Sequence, residues 1–169
     1  MNIDGVTSIF SRLNECEVKY LIVGGLAVVA HGYVHLTVDI DIVLDMQFDN
    51  MEKALQTLHE IGYKPRIPVK LFDFAVAEIR DNWIKEKQMM VYQLVNDKYP
   101  GNNIDIFAKE PFDFDIEYKK AKQMEISTGL FVPFVNLTTL INMKENAGRD
   151  KDLIAAKQLR KLLDLENEK

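Results

Sequence analysis

Cysteine is almost absent from this 169-residue chain: Cys16 stands alone, which excludes an internal disulfide and any cysteine-based zinc cluster and makes a reducing cytoplasm the expected home. Long apolar runs are missing as well. No stretch approaches the roughly 18 apolar residues of a membrane span, and Met1-Asn2-Ile3-Asp4 carries neither the basic region nor the apolar segment of a secretory leader. A soluble cytoplasmic protein with no membrane partner is the expectation. Positive charge is in deficit, with a formal net charge of −5; this excludes the lysine- and arginine-rich face on which sequence-independent nucleic-acid binding depends, though a local patch for a structured RNA is still allowed. Histidine is scarce too. His31 and His35 are four apart, but Gly32 interrupts the helix that such a pair of zinc ligands needs, so no zinc site is expected.

What is present is enough for one globular domain over residues 1–169, 47% hydrophobic and long enough to bury about 70% of the surface its unfolded chain exposes. Helical spacing over Val6 to Leu13 predicts a first, packing helix. Asp45 and Asp49 precede Met51, Ala54, Leu55, Leu58 and Ile61, an amphipathic helix ended by Gly62 and suited to the crossover of a βαβ unit. Residues 65–87 are the least legible: Val76, Ile79 and Trp83 fit a helical stripe, while Phe72, Phe74 and Trp83 could instead form an aromatic lid over an acceptor. Met89 to Val95 alternates as a strand and forms a hairpin through Pro100-Gly101. Asp113 and Asp115 sit in a proline-led, charged stretch and are expected to be solvated. Gly129 to Phe134 reads as a short strand, and Asn136 caps a helix through Met143. A last helix from Asp150 to Leu165 would bury Leu153, Ala156, Leu159, Leu162 and Leu163 on one face, with Glu166 to Lys169 frayed.

The chemistry is concentrated in three places. Thr37-Val38-Asp39-Ile40-Asp41-Ile42 puts two carboxylates on one face of a strand and two isoleucines on the other. At an effective dielectric near 20, two carboxylates roughly 5 Å apart repel by about 3 kcal/mol. A positive partner is called for, and Mg²⁺, held by one or two carboxylates together with substrate phosphates, fits. The bland alternative is an edge strand whose aspartates are solvated and deter aggregation. Upstream, the apolar run Tyr20-Leu21-Ile22-Val23 leads through Gly24-Gly25 into a helical stretch from Leu26 to Ala30. Strand, Gly-Gly, helix is a geometry in which backbone N–H groups cradle phosphate, although many such turns bind nothing. Downstream, Asn103-Ile104-Asp105-Ile106-Phe107 places a third aspartate between apolar residues at strand period. If that strand lies beside the first, three carboxylates converge and could hold two metal ions.

These residues resemble the nucleotidyltransferase superfamily that shares the DNA polymerase β catalytic fold, and within it the small bacterial AbiEii-type toxins and the lincosamide and aminoglycoside nucleotidyltransferases. The resemblance is carried in order by Val23-Gly24-Gly25-Leu26-Ala27, His31-Gly32, Thr37 to Ile42, the Asp105 strand, Leu140-Ile141-Asn142-Met143-Lys144 and Gly148-Arg149-Asp150-Lys151-Asp152. It implies an α/β (α+β) nucleotidyltransferase fold: a small twisted mixed sheet flanked by helices, with a catalytic core over about 18–110 and a C-terminal helical part over about 135–166. By the same resemblance Asp39, Asp41 and Asp105 would be the catalytic and metal-binding residues. Gly24, Gly25, Thr37 and Lys144 would bind nucleotide, and Asp105 would help deprotonate the acceptor. It implies two Mg²⁺ ions, a nucleoside triphosphate as co-substrate, and an acceptor hydroxyl on RNA, protein or a small molecule such as an antibiotic. The toxin-like branch adds a cognate antitoxin or a homodimer as partner.

Two positions depart from the pattern. His35 stands where relatives commonly carry arginine and cannot make the same planar fork of donors. Gly25 replaces the serine that often follows the first glycine in the antibiotic-modifying branch, which leans toward the AbiEii-like one. The rival expectation is a non-catalytic module of the same fold that binds a partner or a nucleotide without turnover.

Overall fold

The computed structural model describes residues 2–168. In chain order its elements are α1 (Ile3–Glu15), β1 (Tyr20–Ile22), α2 (Gly24–Ala30), β2 (Ile40–Leu44), α3 (Phe48–Glu60), β3 (Lys64–Pro65), a 3-10 turn (Leu71–Ala75), α4 (Ala77–Lys87), β4 (Val91–Val95), β5 (Ile104–Phe107), α5 (Phe114–Lys119), β6 (Lys122–Ser127), β7 (Leu130–Phe134), α6 (Leu137–Ala147) and α7 (Asp150–Asn167). The strands form one mixed sheet in the order β3-β4-β5-β2-β1-β7-β6. β2 runs parallel to β5 and antiparallel to β1. It is therefore central, which overturns the edge-strand alternative for its aspartates.

The pleat divides the sheet into two unlike faces. Tyr20 and Ile22 of β1, Ile40, Ile42 and Leu44 of β2, Tyr92 and Leu94 of β4, and Ile104 and Ile106 of β5 are register partners pointing one way, and all are buried. Helices α1 and α3, the 3-10 turn and α4 cover this face. Phe10 stacks on Tyr20 with ring centroids 5.6 Å apart, and Phe74 stacks on Tyr92 at 4.3 Å with Trp83 behind it. Phe74 and Trp83 thus belong to the core on the face away from the aspartates, and Phe72 is exposed. The residues considered as an aromatic lid do not form one, because burying large rings against the sheet removes far more apolar surface from water than a lid would.

Polar side chains fix the element ends. Asn2 caps α1 by accepting from the Gly5 N–H at 2.9 Å, and Asn102 clamps Asn2 from the far end of the β4–β5 connection. The first helix therefore extends beyond Val6–Leu13. Asn136 caps α6 through the Thr139 N–H, and Asp113 caps α5 through the Ile116 N–H. Asp113 and Asp115 are exposed, as expected.

Four expectations need correcting. The link from β2 to its parallel neighbour β5 is not a single helical crossover; after α3 it includes β3, α4 and β4. Strand β6 went unread because Lys122–Ser127 is an edge strand with little apolar alternation. In α7 the buried stripe is Asp152, Ala155, Ala156 and Leu159, while Leu153 is 46% exposed, one position off the packed face. Helix α7 continues through Glu166 and Asn167 rather than fraying, and Lys169 lies outside the described residues.

Candidate functional site

The second face of the sheet carries the polar cluster. Asp41 and Asp105 are direct partners across the parallel β2–β5 ladder, and Gln93 is the partner of Asp105 across β4–β5. Asp39 precedes β2 by one residue and shares the face of Asp41 by the two-residue pleat. The backbone of Asn103 accepts from the Ile40 N–H at 2.8 Å, and its side chain donates to Asp39 Oδ1 at 3.2 Å, so the strand entry and the first aspartate are held together. The structure therefore brings Asp39, Asp41 and Asp105 to one place from segments more than 60 positions apart.

Their environment is strained electrostatically. Burial pushes the Asp41 carboxyl up to about 6, the charge of Asp105 adds to the shift, and a hydrogen bond from the Gly25 N–H together with the charge of Lys144 offsets part of it. Burial also raises Asp105, against the Gln93 hydrogen bond, and the charge of Asp39 raises it further. No lysine or arginine side chain forms an ion pair with any of the three among the described residues. A set of hard oxygen donors that repel one another, half-buried and unpaired, suits a divalent cation of the Mg²⁺ type. As they stand, no three His, Cys, Asp or Glu side chains among the described residues are gathered tightly enough to enclose an ion. Asp105 Oδ1 instead accepts from Gln93 Nε2 at 2.7 Å.

The Gly-Gly turn serves the aspartates first. Gly24 and Gly25 are the opening residues of α2, which starts two positions before the expected helix. Gly24 has φ +63°, and a Cβ there would lie 2.0 Å from Asp41 Oδ2, so only glycine allows the carboxylate to rest on the turn. The Gly25 N–H, expected to face phosphate, faces the Asp41 carboxylate and lowers its pKa. A Cβ at Gly25 would sit 2.6 Å from the Thr37 side chain, whose hydroxyl donates to the Asp39 carbonyl at 3.1 Å. Thr37 thus closes the turn that presents Asp39.

Opposite the aspartates stands the α6–α7 junction. A cleft of about 100 Å³ is bordered by Gly24, Asp41 and Phe107 on the sheet side and by Leu140, Lys144 and Arg149 on the helical side. Lys144 is buried and donates to Asp152 Oδ1 at 2.8 Å, while Arg149 Nε donates to Asp152 Oδ2. Burial alone would raise Asp152; the bonds from Lys144 and Arg149 outweigh it and hold its carboxyl below the usual range.

At the level of sequence, no protein-family profile and no curated protein matches the chain. Solved structures do. The lincosamide antibiotic adenylyltransferase LnuA, solved with lincomycin bound, superposes with a TM-score of 0.59 at 18% identity over 93% of this chain and 95% of its own. TM1012 of Thermotoga maritima, a protein assigned to the nucleotidyltransferases, gives 0.57 at 18% identity over 95% and 91%. ANT(2″)-Ia, in complex with adenylyl-2″-tobramycin, gives 0.56 at 12% identity over 93% and 86%. The chain has the nucleotidyltransferase fold.

On this nucleotidyltransferase fold, His35 lies beside the Gly-Gly turn, its Cδ2 3.1 Å from where a Gly25 Cβ would be. Burial lowers its pKa, and the nearby charges of Lys144 and Lys151 lower it further. The imidazole is therefore neutral at pH 7, and the positive charge at this position comes from the α6–α7 junction. His31 ends α2 and is bound through Nε2 to the Val135 carbonyl at 2.8 Å, a structural contact. Sequence reasoning missed Gln93, Asn103 and Asp152. Asp152 stands in the sequence only as the end of the Gly148-to-Asp152 stretch, and its burial follows from Lys144 and Arg149, which spacing does not display. Gln93 had no signal until the register of the β4–β5 hairpin placed it opposite Asp105.

Proposed function

We propose that the protein is a metal-dependent nucleotidyltransferase. It moves a nucleoside monophosphate from a Mg²⁺-bound nucleoside triphosphate to an acceptor hydroxyl on an RNA, a protein or a small molecule and releases pyrophosphate. The observation that carries this reading is the Asp41–Asp105 pair on adjacent parallel strands, with Asp39 on the same face and, among the described residues, no cationic side chain bonded to any of them. A binding-only protein has no use for mutually repelling buried carboxylates, since each raised pKa unit costs about 1.4 kcal/mol at neutral pH.

Asp39, Asp41 and Asp105 would hold the metal ions, two by analogy with two-metal phosphoryl chemistry. When bound, the ions neutralise the triphosphate and stabilise the attacking and leaving oxygens. The chain itself supplies position and charge. Lys144 and Arg149, fixed by Asp152, present cations across the cleft from Asp41, where negative charge grows on the leaving pyrophosphate. Asp105 would accept the proton of the acceptor hydroxyl. No covalent enzyme intermediate is needed, so rate comes from alignment. The neutral His35 does not argue for a binding-only descendant, because Lys144 and Lys151 already supply charge beside it.

The fold neighbours crystallised with lincomycin and with an adenylylated tobramycin support the antibiotic-modifying alternative for the acceptor; Gly25 in place of serine supports the AbiEii-like one. A single free cysteine and the absence, among the described residues, of any helix long and apolar enough to cross a membrane fit a cytoplasmic setting. The test is transfer of label from α-³²P nucleoside triphosphates to RNA, protein and antibiotic acceptors. Label dependent on Mg²⁺ and lost in Asp41→Asn is expected; transfer that survives Asp41→Asn refutes the assignment.

A further inference from the structure

Along β4, where the short β3 ends, lies a second hollow of about 370 Å³ bordered by Arg66, Ile67, Lys87, Met89 and by Val91, Tyr92 and Gln93 of β4. Its size lies within the usual range for small-ligand sites, about 300–1,000 Å³. Gln93 is common to both places: its Nε2 donates to Asp105 Oδ1 at 2.7 Å, and its Oε1 accepts from Arg66. Arg66 also bonds through its backbone N–H to the Gln93 carbonyl at 3.0 Å, and its charge is felt at Asp105. A molecule seated against Gln93 is therefore one side chain from Asp105, which it reaches when the Gln93 amide gives up its bond to that carboxylate.

The lining chemistry narrows what that molecule is. Ile67, Met89, Val91 and Tyr92 give apolar surface, Arg66 and Lys87 give two cations, the Lys87 ammonium lying over the Trp83 ring, and none of the lining side chains is acidic. A polyamine-bearing sugar would bring like charge against both cations with no carboxylate in the lining to compensate. An alcohol with an apolar body and an anionic group is matched on every side: apolar surface on Ile67 and Val91, anion toward Arg66 and Lys87, hydroxyl toward Gln93 and Asp105.

We propose that this hollow is the acceptor subsite and that the acceptor is an anionic alcohol, carrying phosphate or carboxylate, rather than a polycation; this rests on the nucleotidyl-transfer reading. In the step, the acceptor oxygen forms a bond to the α-phosphorus and the bond from that phosphorus to the bridging oxygen breaks. Pyrophosphate leaves with the electron pair, and the hydroxyl proton passes to Asp105.

The experiment is label transfer from each α-³²P nucleoside triphosphate with Mg²⁺ to three probe sets: nucleoside 5′-monophosphates and sugar phosphates, the neutral alkyl glycoside octyl glucoside, and the polycation kanamycin. Wild type and Lys87→Glu are compared, and Mg²⁺-dependent triphosphate binding is measured in parallel. Label is expected on an anionic probe, with its KM raised about tenfold in Lys87→Glu and triphosphate binding unchanged. Preferential labelling of kanamycin or octyl glucoside, an unchanged acceptor KM in the variant, or no labelled anionic probe while triphosphate binding persists would overturn the subsite and leave the transfer reading standing. Loss of triphosphate binding in wild type would overturn both.

Discussion

Asp41 concentrates the conflict between stability and chemistry in this protein. Its carboxyl is lifted to about 6 by burial, then by Asp105, whereas in the unfolded chain it titrates near the ordinary value of about 3.9. Between those two values the unfolded state has lost the proton that the folded state keeps, so stability falls as pH rises through the window and stays lower above it. Replacing the carboxylate with a neutral isostere removes that penalty. Without divalent metal, Asp41→Asn should be more stable than wild type by about 2 kcal/mol above pH 6, with the difference vanishing below pH 4; urea unfolding at a series of pH values measures it. A variant less stable than wild type at pH 7 would mean that the Gly25 hydrogen bond outweighs the desolvation. At this scale much of the site was legible. Asp39, Asp41 and Asp105 announce themselves because acids are rare among aliphatic strand residues. Gln93 and Asn103 do not, because amides are ordinary at strand ends and only register and contact give them a role.

At the scale of elements, the α6–α7 junction is organised by a single buried acid. Gly148 ends α6 in the left-handed conformation at φ +67°, Arg149 turns the chain, and Asp152 in the first turn of α7 receives Lys144 from the preceding helix. Removing Asp152 leaves the Lys144 ammonium buried without its anion, an arrangement that costs about 3 kcal/mol or more. Asp152→Ala should lose that much stability in urea unfolding. The double substitution Lys144→Met with Asp152→Leu should recover most of it, since apolar packing replaces a buried ion pair with little loss, yet it should weaken triphosphate binding because the cation facing Asp41 is gone. Recovery of both would make the lysine purely structural. Elements with strong periodicity, α1, α3, β4 and α6, were readable from their apolar spacing. The phase of α7 was misread because Leu153 looks like a core residue and Asp152 does not, and the burial of an acid follows from its partners on α6, which spacing cannot display. The segment 65–87 was ambiguous for a related reason: aromatic residues suit both a core and a lid, and the choice depends on which sheet face they meet.

For the whole molecule, the division of the sheet into one apolar face and a second that carries Asp41 and Asp105 beside the buried Leu21 and Val43 sets what binding should do. The fold class was readable through the family resemblance that the Gly-Gly turn and the aspartates carry in order; the β3-β4-β5-β2-β1-β7-β6 sheet order was not, because pairing between distant strands leaves no local trace. If the polar face gathers its aspartates around Mg²⁺ and triphosphate, the bound state relieves a repulsion that the free protein carries, and binding is coupled directly to unfolding. At a ligand concentration about 100 times the dissociation constant, mass action adds about 2.7 kcal/mol, which for a domain of this length corresponds to a rise in Tm of about 5–10 °C. Neither Mg²⁺ nor triphosphate alone should give the full shift, because a metal held by Asp39, Asp41 and Asp105 would neutralise the aspartates and the triphosphate would draw on Lys144 and Arg149 across the cleft. The shift should shrink as pH falls through about 6, where Asp41 takes up a proton and competes with the metal, and should be absent in Asp41→Asn. Thermal denaturation with each nucleoside triphosphate, with and without Mg²⁺, at pH 5 and pH 8 measures all of this; an equal shift in Asp41→Asn, or one independent of metal, would place the nucleotide elsewhere on the molecule.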